Sequence, residues 1–210
     1  MHLTEPSTLV TDFLMGAFAA AFSAILLRHA QKQISRILWS AGLALTAAAS
    51  FAAGFYHGFK GVWPNDLIVG LDVATVLAMV GVSLCVLMGT ARAMAGKRAH
   101  DALTIFALAK AAAFALWTPF HRDFVYVIAD YALSLLVVLA LSAMNRRQSS
   151  ARWLMAGVGV SAVGALVQTS GWNAAWFLNH NDLYHLIQIF SLYAFYRGSS
   201  LLRDRRPSMT

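Results

Sequence analysis

A chain of 210 residues that is 59% hydrophobic and only 12% charged is excluded from the ordinary soluble class, in which about a quarter of residues are charged. Apolar runs recur along its whole length with no soluble-domain-sized segment between them, so residues 1–210 read as one membrane domain. The net charge of +7 does not point to nucleic acid, because its placement is that of a topology signal. A single cysteine, Cys85, rules out an intrachain disulfide and a thiolate metal cluster.

A membrane-crossing helix needs about 20 mostly apolar residues. The first run, Thr8–Leu27, has no Lys or Arg before it, and the first basic residue is Arg28. A cleavable signal carries its charge in front, so a span at 8–28 is expected to stay in place. The second span, 36–58, follows Gln31-Lys32-Gln33 and ends in Gly54-Phe-Tyr-His57-Gly58. After Pro64 comes the third, 66–91, with Asp72 about two turns in. The fourth, 101–120, follows Gly96-Lys97-Arg98 and carries Lys110 near its middle. The fifth, 123–144, contains Asp130, and the sixth, 153–172, contains Gln168 near its far end. The seventh, 181–202, opens His180-Asn-Asp182-Leu-Tyr-His185-Leu-Ile-Gln188. These runs are long, rich in Ala and Leu, and do not alternate. A helix satisfies its own backbone in lipid, so the expected fold is an all-α bundle of seven transmembrane helices.

Basic residues sort by loop. Arg28, Lys32 and Arg36 flank the first turn, Arg92, Lys97 and Arg98 the third, and Arg146, Arg147 and Arg152 the fifth; Arg197, Arg203, Arg205 and Arg206 flank the C-terminal end. The other face has Lys60 and Arg122, a ratio of 13 to 2. By the positive-inside rule the N-terminus is expected outside and the C-terminus in the cytoplasm. Richness in Ala and Arg with short loops suggests a bacterial inner membrane, where the basic tail would meet anionic lipid.

An ionisable group within a bilayer costs several kcal/mol unless it has a partner or a role. His57, Asp72, Asp130, Gln168 and the start of the seventh span all fall in the outer half, and Lys110 is the main exception. Residues three and four apart share a helix face, so Asn181, Asp182, His185 and Gln188 make one polar stripe. Imidazole and carboxylate from different helices suit a zinc ion, whose catalytic sites keep one position open for water. Such water becomes a hydroxide nucleophile near neutral pH. His57 and His185 are the candidate ligands, with Asp72 a ligand or general base and the third ligand from His180 or Asp182. Tyr56, Tyr184 and Gln188 are candidates to orient substrate or ligand.

A His closing the second span, an Asp early in the third and a His-containing start to the seventh resemble the alkaline ceramidase, adiponectin-receptor and haemolysin III-like membrane hydrolases (the CREST superfamily). The resemblance implies a zinc ion held by three His, an Asp and a Ser around its water, and a lipid amide or related lipid as substrate. It places His57 at the span-two ligand, Asp72 at the carboxylate and His185 at the second His of a His-x-x-x-His. The first position of that motif is Asn181 here, and Ala53 stands where the family has Ser.

Other readings stand beside this one. A retinal protein needs a Lys in the last span, which is absent. A bis-His haem protein would use His57 and His185, and a transporter or small-ligand binder would use the same polar pocket without a metal. Asp182 also suits a helix cap, and Asp130 with Lys110 a structural ion pair. Trp39, Trp63, Trp117, Trp172, Trp176 and Tyr184 read as interfacial anchors. Gly42, Gly54, Gly157, Gly159 and Gly164 read as close-packing positions.

Overall fold

The computed structural model describes residues 3–121, 123–175 and 178–205, apart from the side chain of Phe124. Arg122, Trp176 and Arg206 therefore lie outside the described residues. Seven helices are present in these segments: α1 (Pro6–Arg28), α2 (Ile34–Phe59), α3 (Asn65–Met94), α4 (Lys97–Trp117), α5 (Phe124–Met144), α6 (Ser149–Ser170) and α7 (His180–Ser200). Among the described residues the only β pairing is a single bridge, Ala175 to Leu178, in the loop before α7.

Helices overrun the apolar runs that mark them. Lys97 and Arg98 belong to the first turn of α4, and α3 continues to Met94, because the chain keeps its backbone bonded until a cap or break supplies an alternative. Pro6 opens α1, Gly171 ends α6 in the left-handed region at φ 66°, and Asn179 with Asp182 forms a capping box at α7. Six helices, α1 to α6, are long and apolar enough to cross a membrane. α7 falls short of that apolarity because polar residues crowd its first turns, yet Asp182, His185 and Gln188 there are all buried inside the bundle.

α1 packs between α2 and α7, α3 between α2 and α5, and α6 between α5 and α7, which closes a ring of six. α4 leans on α3 and α5 from outside. Only Ala107, Lys110 and Ala111 of α4 are buried, while Ile105, Leu108 and Leu116 are exposed. Exposed apolar side chains recur around the ring, as at Leu136, Leu166 and Phe190, which is the surface that lipid rather than water accommodates.

Small residues bring the helices together. Gly54 and Gly58 let α2 meet α1 closely: a Cβ at Gly54 would lie 2.6 Å from the Phe13 ring, and one at Gly58 would overlap Leu9. Gly157 admits Phe195 and Gly164 admits the Gln188 side chain, whereas Gly159 faces open space and packs nothing. Hydroxyls tie neighbouring helices: Ser23 Oγ donates to Ser40 O at 2.8 Å, and Ser191 Oγ to Gly157 O at 2.9 Å. Trp39 is no interfacial anchor. It is buried against Phe195 with its ring N–H donating to Thr90 Oγ1 at 3.2 Å, because the small residues around it leave room for an indole. Trp117 and Trp172 are exposed at helix ends.

The tail fastens one end of the bundle. Asp204 accepts from the backbone N–H groups of Ile34 and Ser35 at 2.8 and 3.0 Å, at the start of α2. Arg92 of α3 approaches the same carboxylate at 3.6 Å, and Arg36 donates to Leu202 O at 2.8 Å. Burial opposes the charge on Asp204, but its bonds to Ser35 and Ile34 and the field of Arg92 outweigh it and hold the carboxyl below its ordinary range. The basic residues of three separate segments thus gather at one end around a single acid.

Candidate functional site

At the opposite end the ring encloses a cavity of about 400 Å³. Every ring helix contributes to it: Asp12 from α1, His57 from α2, Asp72 from α3, Tyr131 from α5, Gln168 from α6 and His185 from α7. The lining is graded with depth. On α3 it runs Asp72, Thr75, Met79, Val82, and on α7 it runs Asn181, Tyr184, His185, Gln188, Leu192, Phe195. At about 1.5 Å per helical residue, polar groups on α3 and α7 occupy the turns nearest the loops and apolar side chains the deep end, about 15 Å further in along α3, while α2 keeps Thr46 and Ser50 among its deeper lining residues.

The polar turns of α7 meet a matching stripe on α1 that sequence reading overlooked. Thr8, Thr11 and Asp12 lie three and four residues apart and therefore on one face. Thr8 Oγ1 donates to Asp182 Oδ1 at 2.9 Å, while Asp182 Oδ2 accepts from the Asn179 N–H at 2.9 Å in the capping box. The His185 ring sits between two α1 side chains, with Nδ1 3.0 Å from Thr11 Oγ1 and Nε2 3.2 Å from Asp12 Oδ1. The ring is thus held from both sides by α1. The signal for this stripe was available, since Asp12 is a carboxylate inside the first apolar run.

His57 lies on the wall at the end of α2. Its Nδ1 is 2.7 Å from Glu5 Oε2, and Glu5 is also paired with Lys60. Burial works against the Glu5 charge, but Lys60 and His57 outweigh it and keep this carboxyl below its usual range. The same corner is sewn by the Thr4 N–H donating to Gly58 O at 3.0 Å and by Thr4 Oγ1 donating to Lys60 O at 2.6 Å. Gln188 is satisfied by α6: it accepts from Ser161 Oγ at 3.0 Å and donates to Ser161 O at 3.2 Å. Tyr184 lines the cavity instead of anchoring at an interface.

The expected zinc set can be tested against these bonds, because each ligand must present a bare nitrogen or oxygen to the ion. His57, Asp72 and His185 do share one cavity. Both ring nitrogens of His185 are engaged by side chains of α1, and both oxygens of Asp182 are engaged by Thr8 and Asn179. His180 is turned onto Asn173, 3.1 Å from its Oδ1, and does not line the cavity. No three His, Cys, Asp or Glu side chains among the described residues come together as a metal-holding group. As arranged, these residues do not fit zinc.

What remains is a polar, hydrogen-bonding vestibule over a largely apolar floor. Among the described residues Asp12, Asp72, Asp123, His57 and His185 line the cavity. Lys110 and Asp130 are elsewhere: they pair with each other beside Ser83, whose Oγ accepts from Lys110 Nζ at 2.8 Å. Comparison with curated proteins and with solved structures gave no match. Residues 7–204 match a family of unknown function, DUF6962, and the chain belongs to that family.

Proposed function

We propose that this is a seven-span membrane protein whose cavity binds a small amphiphile, head toward the polar turns and tail toward Phe195. The observation that carries this reading is the graded lining, ionisable at the outer turns and apolar at Val82, Leu192 and Phe195. A volume of about 400 Å³ falls within the range of about 300–1,000 Å³ typical of small-molecule sites. In this reading α7 spans with the others, its polar residues sheltered from lipid by α1 and α6. The charge asymmetry of the loops supports a cavity at the non-cytoplasmic side and a C-terminus in the cytoplasm. A reporter fused after Thr210 that proved to be outside would overturn that orientation.

Ala53 lies on the cavity wall beside the polar turns, so Ala53→Trp should fill the cavity. Saturable binding of octylamine or octanol to the purified protein in nanodiscs should fall at least tenfold in this variant, with the helical content retained. Unchanged binding would show that the amphiphile sits elsewhere.

Zinc-dependent hydrolysis of a lipid amide or ester, with a membrane lipid as substrate, is a second reading. It is favoured by the convergence of His57, Asp72 and His185 on one cavity. It requires His185 to leave Asp12 or Thr11 when the ion binds. Stoichiometric zinc in purified protein, lost in both His57→Ala and His185→Ala, would support it; metal-free, correctly folded protein without hydrolase activity would sink it.

A further inference from the structure

α7 turns its polar stripe into the bundle and a different face outward. Phe190, Tyr193 and Arg197 lie three and four residues apart, hence on one side of the helix. All three are exposed, whereas Ser191, Leu192, Ala194, Phe195 and Gly198 around them are buried. On a helix that crosses a bilayer this is the lipid-facing stripe, where a charge is costly. Arg197 stands on it one turn before the end of α7, at the basic end of the bundle. The described residues include all nine acidic side chains of the chain, and none of them pairs with its guanidinium. Its seat is aromatic instead: the guanidinium lies over the Trp153 ring of α6, 5.8 Å from the centroid. Tyr193 meets Trp153 edge-on at 6.0 Å and Phe22 of α1 at 6.1 Å, and Tyr196 stacks on Phe22 at 5.1 Å. α1, α7 and α6 thus present one aromatic strip with a cation at its rim. Sequence reading counted Arg197 only toward topology and passed over the three rings beside it.

We propose that this strip binds an anionic phospholipid from the leaflet at the basic end, with the phosphate on Arg197 and the acyl chains along Tyr193 and Phe190. The site lies on the outside of the bundle and does not depend on what the cavity holds. An aromatic face stabilises the cation's charge but offers no oxygen, so the N–H donors of the guanidinium remain for an acceptor. The planar fork matches phosphate bidentately, in charge-assisted hydrogen bonds of the stronger kind. Below it, Tyr193 and Phe190 give the chains an apolar surface. Arg28 in the last turn of α1 and Arg152 in the first turn of α6 are exposed at the same end. Their field favours a headgroup of net negative charge over one whose own ammonium cancels the phosphate. Trp153 has a positioning role: it holds the guanidinium against the strip instead of letting it sweep through the headgroup region.

The test is lipid retention, read by native mass spectrometry of the full-length protein exchanged in mild detergent with equal amounts of dioleoyl phosphatidylglycerol and dioleoyl phosphatidylcholine. The wild-type chain should retain the phosphatidylglycerol about fivefold better. Arg197→Gln should lower that retention about fivefold and leave phosphatidylcholine where it was. Arg98→Gln removes the same charge from an exposed position in the first turn of α4, and should change retention less than about twofold. Trp153→Leu keeps every charge but unseats the guanidinium, and should lower phosphatidylglycerol retention about threefold. Arg197→Lys keeps the charge without the fork and should fall between wild type and Arg197→Gln. Circular dichroism should show the wild-type helical content in all four variants. Equal retention of the two lipids by the wild type would overturn the site. Equal losses in Arg197→Gln and Arg98→Gln would also overturn it, by reducing the preference to the net charge of the basic end. Wild-type retention in Trp153→Leu would overturn the aromatic seat.

Discussion

Lys110→Met should destabilise the protein by about 3–5 kcal/mol, the usual cost of stranding one member of a buried ion pair, and Asp130→Asn should restore much of the loss. Both side chains are almost fully buried, and Lys110 also donates to Ser83 Oγ at 2.8 Å. Ser83 in turn bonds Ser134 Oγ at 2.8 Å, so the pair is the head of a short network linking α4, α3 and α5. With Met at 110 the Asp130 carboxylate keeps only neutral neighbours; with Asn at 130 as well, no charge is left to solvate. The effect on α4 should be larger than on the ring, because two alanines are its only other buried residues. Thermal unfolding in detergent would give the energies, and limited proteolysis would show whether α4 detaches first. A double variant no more stable than Lys110→Met would mean the two groups are not coupled.

Asp182→Ala should cost about 2–4 kcal/mol, since it strands the buried Thr8 hydroxyl and the partly buried Asn179 N–H at about 1–3 kcal/mol for a buried donor and removes half of a capping box. The Thr8 hydroxyl and the Asn179 N–H both point at this carboxylate, at 2.9 Å each, and the side chain is fully buried. Thr8→Val should therefore be far less harmful in the Asp182→Ala background than in the wild type, because the hydroxyl has already lost its acceptor. Asp182→Asn, which keeps one carbonyl oxygen, should lie between wild type and Asp182→Ala. Equal additive losses in the cycle would mean that Asp182 does not hold α1 to α7. A ligand role for Asp182 predicts the opposite pattern, namely metal loss with little change in stability.

The helices were legible because a lipid-crossing run has only one pattern to write: about 20 apolar residues between basic or Gly/Pro breaks. Their ends were less so, and Lys97 and Arg98 show why: a helix does not stop where apolarity stops. Depth along each run was enough to place His57, Asp72, Gln168, Asn181, His185 and Gln188 in one layer, and the structure puts these on one cavity; Asp182 and Asp130, expected in the same layer, instead bond to Thr8 with Asn179 and to Lys110. Which side chains of that layer bond to which was not legible. His185 meets Asp12 and Thr11 across 173 and 174 positions of sequence, a contact created when α7 closes the ring onto α1, and no local pattern encodes ring closure. Trp39 misled for a related reason. An indole near a run's end reads as interfacial, but Thr90 on the neighbouring helix offers it an acceptor inside. The Lys110–Asp130 pair was readable because each is costly alone in a span and each needs the other.

Native mass spectrometry of the protein purified in mild detergent tests the central claim most directly, because it reads what the cavity holds without presupposing the ligand. The wild-type chain should carry an organic adduct of one small amphiphile, displaced by added octylamine and absent from Ala53→Trp. A bare chain that takes up none of the added amphiphiles, or one whose only adduct is a metal ion lost in His57→Ala, would contradict it.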